Sequence, residues 1–362
     1  MKKKVLAAMS GGVDSSVAAL LLQQQGYEVI GMTMRLFDPQ ALGLLPGAGG
    51  NGATDAKDAH LVAEKLGIEH YVVDLSSCFK RSVIDRFVKE YELGRTPNPC
   101  VYCNKHIKFG ALFEQARQLG CDYLATGHYA RVEHSNATAR WLLRRSTDET
   151  KDQSYMLFNL TQELLPHTLL PLAELCKTEI RGIAAQHGFV TAQKPESQDI
   201  CFVPDGDYTR LINHFSQHPL KPGSFKHING ELLGTHKGLE HYTIGQRKGL
   251  GIAYEYPLYV IDKDLDSNVV LLGPNDALFQ KALLADNCNW ILFDSLVESI
   301  EVTVKTRYRQ KDVPAVLEPV GKNSVKVVFS EPQRAITPGQ AVVFYKGDYV
   351  VGGGIIRCAL NQ

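Results

Sequence analysis

One stretch near the start of the chain combines residue types suited to holding a phosphate. Ser10-Gly11-Gly12-Val13-Asp14-Ser15-Ser16 follows an apolar run, Val5 to Met9, and opens a second one, Val17 to Leu22, which ends before Gly26. That order predicts a buried strand, a glycine turn and the first turn of a helix. Two glycines let the backbone approach a ligand without a side chain in the way. The helix that follows offers free N–H groups and the positive end of its dipole to an anion. Ser15 and Ser16 add hydroxyl donors, and Asp14 could hold a phosphate-bound Mg²⁺. A Walker-type loop would place Gly-Lys-Ser/Thr here, and Val13 follows Gly12 instead. The glycine spacing of dinucleotide-binding folds is absent as well.

A second set of residues concerns sulfur. Cys100-Val101-Tyr102-Cys103 sits in a segment stiffened by Pro97 and Pro99, read as a loop just before a helix. Cys103 lies close to Lys105, His106 and the helix start, each of which favours thiolate. Cys201 comes much later, after the polar approach Ser197-Gln198-Asp199, so only folding could bring it to Cys103. Three roles fit: a pair of thiols that carries and resolves sulfur by exchange, a metal site, or packing. As a metal site, Cys100, Cys103 and Cys201 could hold an Fe–S cluster, or zinc with His106. A lone C-x-x-C is a weak zinc signal, and the persulfide role is favoured over the cluster. No metal site is certain from the sequence.

The surrounding elements alternate. After the glycine turn come a strand at Tyr27 to Met34, a Gly- and Pro-rich loop from Asp38 to Gly52, and a helix over about Thr54 to Leu66. A strand at His70 to Asp74, helices at Phe79 to Glu92 and Lys108 to Leu119, and a strand at Tyr123 to Thr126 follow. This rhythm predicts a parallel sheet with helices on both faces. Ligands in such sheets sit beyond the carboxyl ends of the strands, where Ser10 to Ser16 falls. Residues 151 to 188 read as helical. From about Phe202, short alternating segments separated by glycine and proline predict two small β-barrel-like domains, split near residue 277. The expected domains are therefore 1–201, 202–277 and 278–362.

The chain has 362 residues, 44% hydrophobic and 22% charged, enough for several domains and a sizeable core. With 39 basic and 39 acidic side chains, net charge indicates no nucleic-acid partner, so any such contact must come from local patches. No apolar run is of membrane-spanning length, and a signal peptide is not expected because the first strand begins at once. Eight scattered cysteines argue against a disulfide scaffold and for a reducing cytoplasm. Cys78, Cys121, Cys176, Cys288 and Cys358 read as packing residues.

The glycine stretch resembles the pyrophosphate loop (PP-loop) of enzymes that release PPi from ATP and adenylate a substrate. Over nearly its full length the chain resembles the bacterial tRNA-specific 2-thiouridylase family. The resemblance is carried by SGGVDSS at Ser10, GMTM at Gly31, TPNPCVYCNKHIKF at Thr96, ATGHYAR at Ala125, KDQSYML at Lys151, KPESQDICF at Lys194, YTIGQRKGLG at Tyr242, VKTRYR at Val304 and PGQAVVFY at Pro338. It implies an N-terminal domain of the adenine nucleotide alpha hydrolase type followed by two mainly-β domains. The implied reaction is ATP-dependent replacement of the C2 oxygen of uridine-34 in the tRNA anticodon by sulfur, with AMP and PPi as products. Ala8, Met9, Ser10, Gly11, Gly12, Val13, Asp14, Ser15, Met34 and Gly127 would contact ATP, with Mg²⁺. Cys201 would carry the persulfide, and Cys103 would be the nucleophile that forms a disulfide with it. Asn98, Pro99 and Cys100 would lie at the target base. His128, Lys151, Asp152, Gln153, Arg307, Tyr308 and Gln340 would contact tRNA, although solvated charge and helix-start roles are the simpler account of these residues without the resemblance. Expected partners are the tRNAs for Lys, Glu and Gln and a protein that donates persulfide sulfur, with no membrane. Many relatives carry Asp where this chain has Cys100, and that Asp is a proposed acid/base. The rival function is another PP-loop adenylating enzyme acting on a small molecule, or a thiolase using the three-cysteine cluster.

Overall fold

The computed structural model describes residues 2–43, 53–195, 200–216 and 220–360. The chain divides into two compact units. One is Met1–Ile84, Pro99–Asp207 and Asp348–Val350, and the other is Asp85–Asn98, Tyr208–Gly347 and Val351–Gln362. Residues 44–52 of the glycine-rich loop, and Ser197, Gln198 and Asp199 before Cys201, lie outside the described residues.

In the first unit, β1 (Lys4–Ala8), α1 (Val13–Gln24), β2 (Glu28–Arg35), α2 (Ala53–Leu66) and β3 (Glu69–Asp74) follow the expected alternation. Then α3 (Ser76–Phe79) runs into a π-helical turn, Lys80–Ile84, and α4 (Asp85–Glu92) already belongs to the second unit. Helix α5 (Pro99–Cys103) leads into a longer π-helical segment, Asn104–Ala111, and then α6 (Leu112–Gln118) and β4 (Tyr123–Ala125). A hairpin of β5 (Ala130–Ser135) and β6 (Arg140–Arg145), the short β7 (Thr168–Leu169) and α7 (Lys177–Gln186) complete the described elements. The sheet order is β3-β2-β1-β4-β7, with every pairing parallel. Central β1 is apolar because both its faces are covered: Val5 and Leu6 have no exposed surface. Val17 and Leu20 of α1, Ala59 and Val62 of α2, and Ile180 and Ala184 of α7 join Val5 in one core. Full burial of each larger aliphatic side chain contributes about 1.5–3 kcal/mol.

In the second unit, α4 packs on α8 (Tyr208–Phe215), with Tyr91 and Tyr208 stacked at 4.6 Å between ring centroids. Strands β8 (Gly223–His227), β9 (Leu232–His236), β10 (Tyr259–Asp264) and β11 (Val269–Gly273) form a sheet in the order β10-β11-β8-β9 around Phe225, Tyr242, Val260 and Leu272. Six more strands follow: β12 (Phe279–Trp290), β13 (Ile300–Lys305), β14 (Val313–Gly321), β15 (Ser324–Arg334), β16 (Ala341–Lys346) and β17 (Tyr349–Leu360). Their order, β12-β15-β14-β13-β16-β17, returns on itself because β12 also pairs with β17. A closed barrel leaves no strand edge to pair with another chain. Alternation positions the core, since Val325, Val327 and Phe329 point inward from β15 while Lys326 and Val328 do not.

Several local expectations change. Residues 151 to 188 hold one α-helix, α7, preceded by 3₁₀ turns at Ser154–Leu157 and Leu165–His167. Pro166 and Pro171 interrupt the apolar pattern that suggested a longer helix. The segment around Cys100 is helical rather than a loop, because Pro99 fits the first position of α5. Among the described residues no helix is long and apolar enough to cross a membrane.

Candidate functional site

The glycine turn leaves the carboxyl end of central β1, as doubly wound sheets require of a ligand loop. Gly11 adopts φ +71°, and a Cβ there would lie 2.2 Å from the Asp55 carbonyl oxygen of α2. Glycine is therefore demanded by both conformation and space. Gly127, just past β4, packs on the loop in the same way: a Cβ would come within 3.0 Å of the Asp14 carbonyl carbon and the Ser15 nitrogen. The serine hydroxyls brace the turn. Ser15 Oγ donates to the Gly12 carbonyl at 3.0 Å and accepts from Ser10 N–H at 3.1 Å, and Ser16 Oγ donates to the same carbonyl at 2.9 Å. Ser16 is wholly buried and also accepts from Thr191 Oγ1, so its hydroxyl is a strut rather than a ligand donor.

Asp14 opens the first turn of α1 and is already held by a cation. Lys177 Nζ lies 2.7 Å from both carboxylate oxygens, and the Tyr129 hydroxyl donates to Oδ1 at 2.6 Å. The Lys177 ammonium also sits 5.8 Å from the centroid of the Tyr129 ring. Behind the loop, Lys194 reaches Asp55 at 2.7 Å, Asp58 at 2.5 Å and the Gly11 carbonyl at 2.9 Å. It thus ties the segment that leads to Cys201 to the back of the turn. Met34, near the end of β2, and Ala8 and Met9, at the end of β1, occupy neighbouring carboxyl ends of the sheet.

All eight cysteines are thiols. Cys100 and Cys103 on α5 and Cys201 share one electrostatic neighbourhood, since Cys100 acts on Cys103, both act on Cys201, and the Lys108 ammonium acts on all three. The expected acidity of Cys103 is not found. Burial pushes its thiol up to about 11, and Lys108 offsets this only in part. Lys105, His106 and a helix start favour thiolate locally, but desolvation, a tertiary effect, outweighs them. Burial raises Cys201 further and raises Cys100 as well. Among the described residues no group of three or more His, Cys, Asp or Glu side chains could hold a metal ion, so the three cysteines do not form a ligand set for a cluster in this conformation.

The remaining candidates are distributed between the units. Asn98, Arg307, Tyr308 and Gln340 belong to the second, and Pro99, Cys100, His128, Lys151, Asp152 and Gln153 to the first. Arg307 donates to the Ala335 carbonyl at 2.6 Å, and Gln340 Nε2 donates to the Thr96 carbonyl at 2.7 Å. Asp152 is buried, with Oδ1 accepting from Ser154 N–H at 3.2 Å and Oδ2 from the Ser154 hydroxyl at 2.8 Å, so it caps the 3₁₀ turn. Gln153 exchanges two hydrogen bonds with the Tyr129 backbone, fixing the segment that carries His128 and Tyr129. His128 is itself buried between Thr126 and Lys108. In this conformation Asp152, Gln153 and His128 support the loop architecture directly. Lys177, Tyr129 and Lys108 were missed as site residues. Lys177 lies in the stretch 151 to 188 read only as helical, and the other two stand inside ATGHYAR and TPNPCVYCNKHIKF.

A bracing PP-loop at the carboxyl edge of a five-stranded parallel sheet defines a nucleotide-domain architecture, here joined to β domains. Residues 3–205 match the family model described as tRNA methyl transferase HUP domain. Residues 212–274 match its PRC-barrel domain, and residues 280–356 match the aminomethyltransferase beta-barrel domain. The protein named tRNA-specific 2-thiouridylase MnmA of Desulforamulus reducens is 50% identical over 100% of this chain and 99% of its own length. That of Carboxydothermus hydrogenoformans is 51% identical over 98% of each chain. A solved 4-thiouridine synthetase–RNA complex with bound ATP aligns at only 16% identity and a TM-score of 0.35, covering 59% of this chain and 51% of that one. The chain belongs to the tRNA-specific 2-thiouridylase family.

Proposed function

We propose that this protein is a tRNA-uridine 2-sulfurtransferase that uses ATP to activate the C2 oxygen of uridine-34 and a cysteine persulfide to replace it. Beyond family membership, the observation that supports this reading is that Cys103 and Cys201, 98 positions apart in sequence (201 minus 103), interact electrostatically in the unit that holds the PP-loop.

The glycine turn and the N-terminus of α1 receive the phosphates of ATP, and Gly11 and Gly127 let the turn pack closely against α2 and the segment after β4. The carboxylate of Asp14, which already attracts the Lys177 ammonium, is a hard oxygen donor suited to Mg²⁺. A bound Mg²⁺ would neutralise phosphate charge. The uridine C2 oxygen attacks the α-phosphorus of ATP and releases PPi, so that a poor leaving group becomes AMP. The terminal sulfur of a Cys201 persulfide then attacks C2 and AMP departs. Cys103 thiolate attacks Cys201 Sγ, forming a Cys103–Cys201 disulfide and leaving the other sulfur on the base as 2-thiouridine. An external reductant returns the disulfide to two thiols, and a protein donor renews the persulfide. Cys100, whose raised pKa favours the protonated thiol, suits the role of donating rather than abstracting a proton at the base. Lys151 in the first unit, and Arg307, Tyr308 and Gln340 in the second, supply tRNA contacts of the kind that Arg and Tyr make with phosphate and bases.

The test is an assay with ATP, Mg²⁺, a persulfide donor and unmodified tRNA. Sulfur is expected at uridine-34, and Cys201→Ser is expected to abolish thiolation while retaining tRNA binding and PPi release. Full thiolation by both Cys103→Ser and Cys201→Ser under turnover would sink the two-thiol mechanism.

A further inference from the structure

Between the PP-loop and the thiols lies a short polar chain that no step above uses. Lys108 Nζ is 3.2 Å from His128 Nε2, and His128 Nδ1 is 2.7 Å from Thr126 Oγ1. An ammonium can only donate, so His128 Nε2 accepts, and its Nδ1–H points at Thr126. The imidazole is therefore neutral, in agreement with its burial and the neighbouring positive charge, which hold its pKa well below the ordinary value. His128 serves as a fixed acceptor that orients one of the three N–H bonds of Lys108.

The backbone explains why Lys108 meets the cysteines. Cys100 and Cys103 lie on α5, and the chain then changes to π-helix from Asn104 to Ala111. In an α-helix, residues five apart are turned well away from one another. In a π-helix the hydrogen bond itself spans five residues, so positions five apart come round to nearly the same face. Lys108 is five residues after Cys103 (108 minus 103). The wide turn thus brings position 108 round toward the face that carries Cys103, and the Lys108 charge acts on the Cys103, Cys100 and Cys201 thiols.

We propose that Lys108, anchored by neutral His128, is the cation that stabilises the sulfur anions formed at Cys103 and Cys201. The inference rests on the reading of these cysteines as the sulfur-handling pair. The titratable groups that act on one another here include Cys100 and Cys103 from α5, Cys201, Lys108 itself, and His128 from the segment after β4.

The experiment measures iodoacetamide labelling of individual cysteines against pH by peptide mass spectrometry, on the full chain. Lys108→Gln keeps a hydrogen-bond donor for His128 and removes the charge. It is expected to slow Cys103 labelling about tenfold at pH 8 and to move its pH profile upward, the effect of about one pKa unit on thiolate fraction. Lys108→Arg restores the charge and is expected to stay within about threefold of the unaltered chain on the same reasoning. Cys121, whose ionisation responds to Lys4 rather than Lys108, is the internal control and should label at its usual rate. An unchanged Cys103 profile in Lys108→Gln, or an equal loss in Lys108→Arg, overturns the proposal. Labelling reads the thiols without tRNA, so a chain that labels as expected yet never thiolates tRNA refutes the functional reading alone.

Discussion

The nucleotide loop and the cysteine site are prepared to different degrees. Ser10 to Ser16 is braced by its own hydroxyls, pressed against α2 and Gly127, and already places a carboxylate against a cation. The cysteines are gathered but not activated, since burial keeps their protons on. Phosphate recognition can be built in advance, because backbone N–H groups and a helix dipole need no partner to exist. A sulfur nucleophile is useful only when its target is present, so its activation can be left to substrate binding.

The sharpest way to break this contrast is to disable each side separately. Asp14→Asn is expected to lower both PPi release and thiolation by about 10²–10³-fold, the usual cost of removing one electrostatic element from a reacting site. Thiol labelling of Cys103 should not change. Loss of PPi release in Cys201→Ser comparable to that in Asp14→Asn would show that the two regions are not separable. Next in size is Gly11→Ala. Its Cβ meets the Asp55 carbonyl at 2.2 Å and its φ is +71°, so a stability loss of about 1–3 kcal/mol is expected in chemical denaturation, with weakened ATP binding. An alanine variant of ordinary stability and nucleotide affinity would mean that the loop is not held in this form.

The smallest effect concerns pH. His128 has a depressed pKa in the folded chain, so the unfolded chain binds more protons below about pH 6.5, the ordinary histidine value. Stability from this group is fully present above that pH and falls as the pH drops toward the folded value. Carboxylates such as Asp74, lowered to about 2, keep their stabilising contribution through this range and lose it only in more acidic solution. Replacing His128 with Gln should flatten the decline between about pH 6.5 and 5 in urea denaturation. An undiminished slope would assign the decline to His70 and His236, which are also lowered by burial.

Legibility in the sequence follows the same division. The PP-loop and the first βα units are local features, written in glycine positions and apolar runs, and they appear where those patterns place them. The barrel strands are legible from alternation. Side-chain ionisation at the cysteines is not, because the neighbours that Cys103 has in sequence, Lys105 and His106, count for less than the protein packed around it. The Lys177–Asp14 pair joins residues 163 apart (177 minus 14), and no spacing announces it. The π-helical segments leave no mark in composition, since they differ from α-helix in hydrogen-bond register alone. Pro99 could have signalled α5, being well suited to a first helical turn.

The protonated state of the half-buried Cys103 and Cys201 has a consequence beyond turnover. Oxidants such as peroxide attack thiolate, and damage climbs from sulfenic to irreversible sulfinic and sulfonic forms. Cysteines that ionise only above neutral pH are slow targets for that chemistry. The resting protein therefore keeps Cys103 and Cys201 in a form that resists oxidative loss.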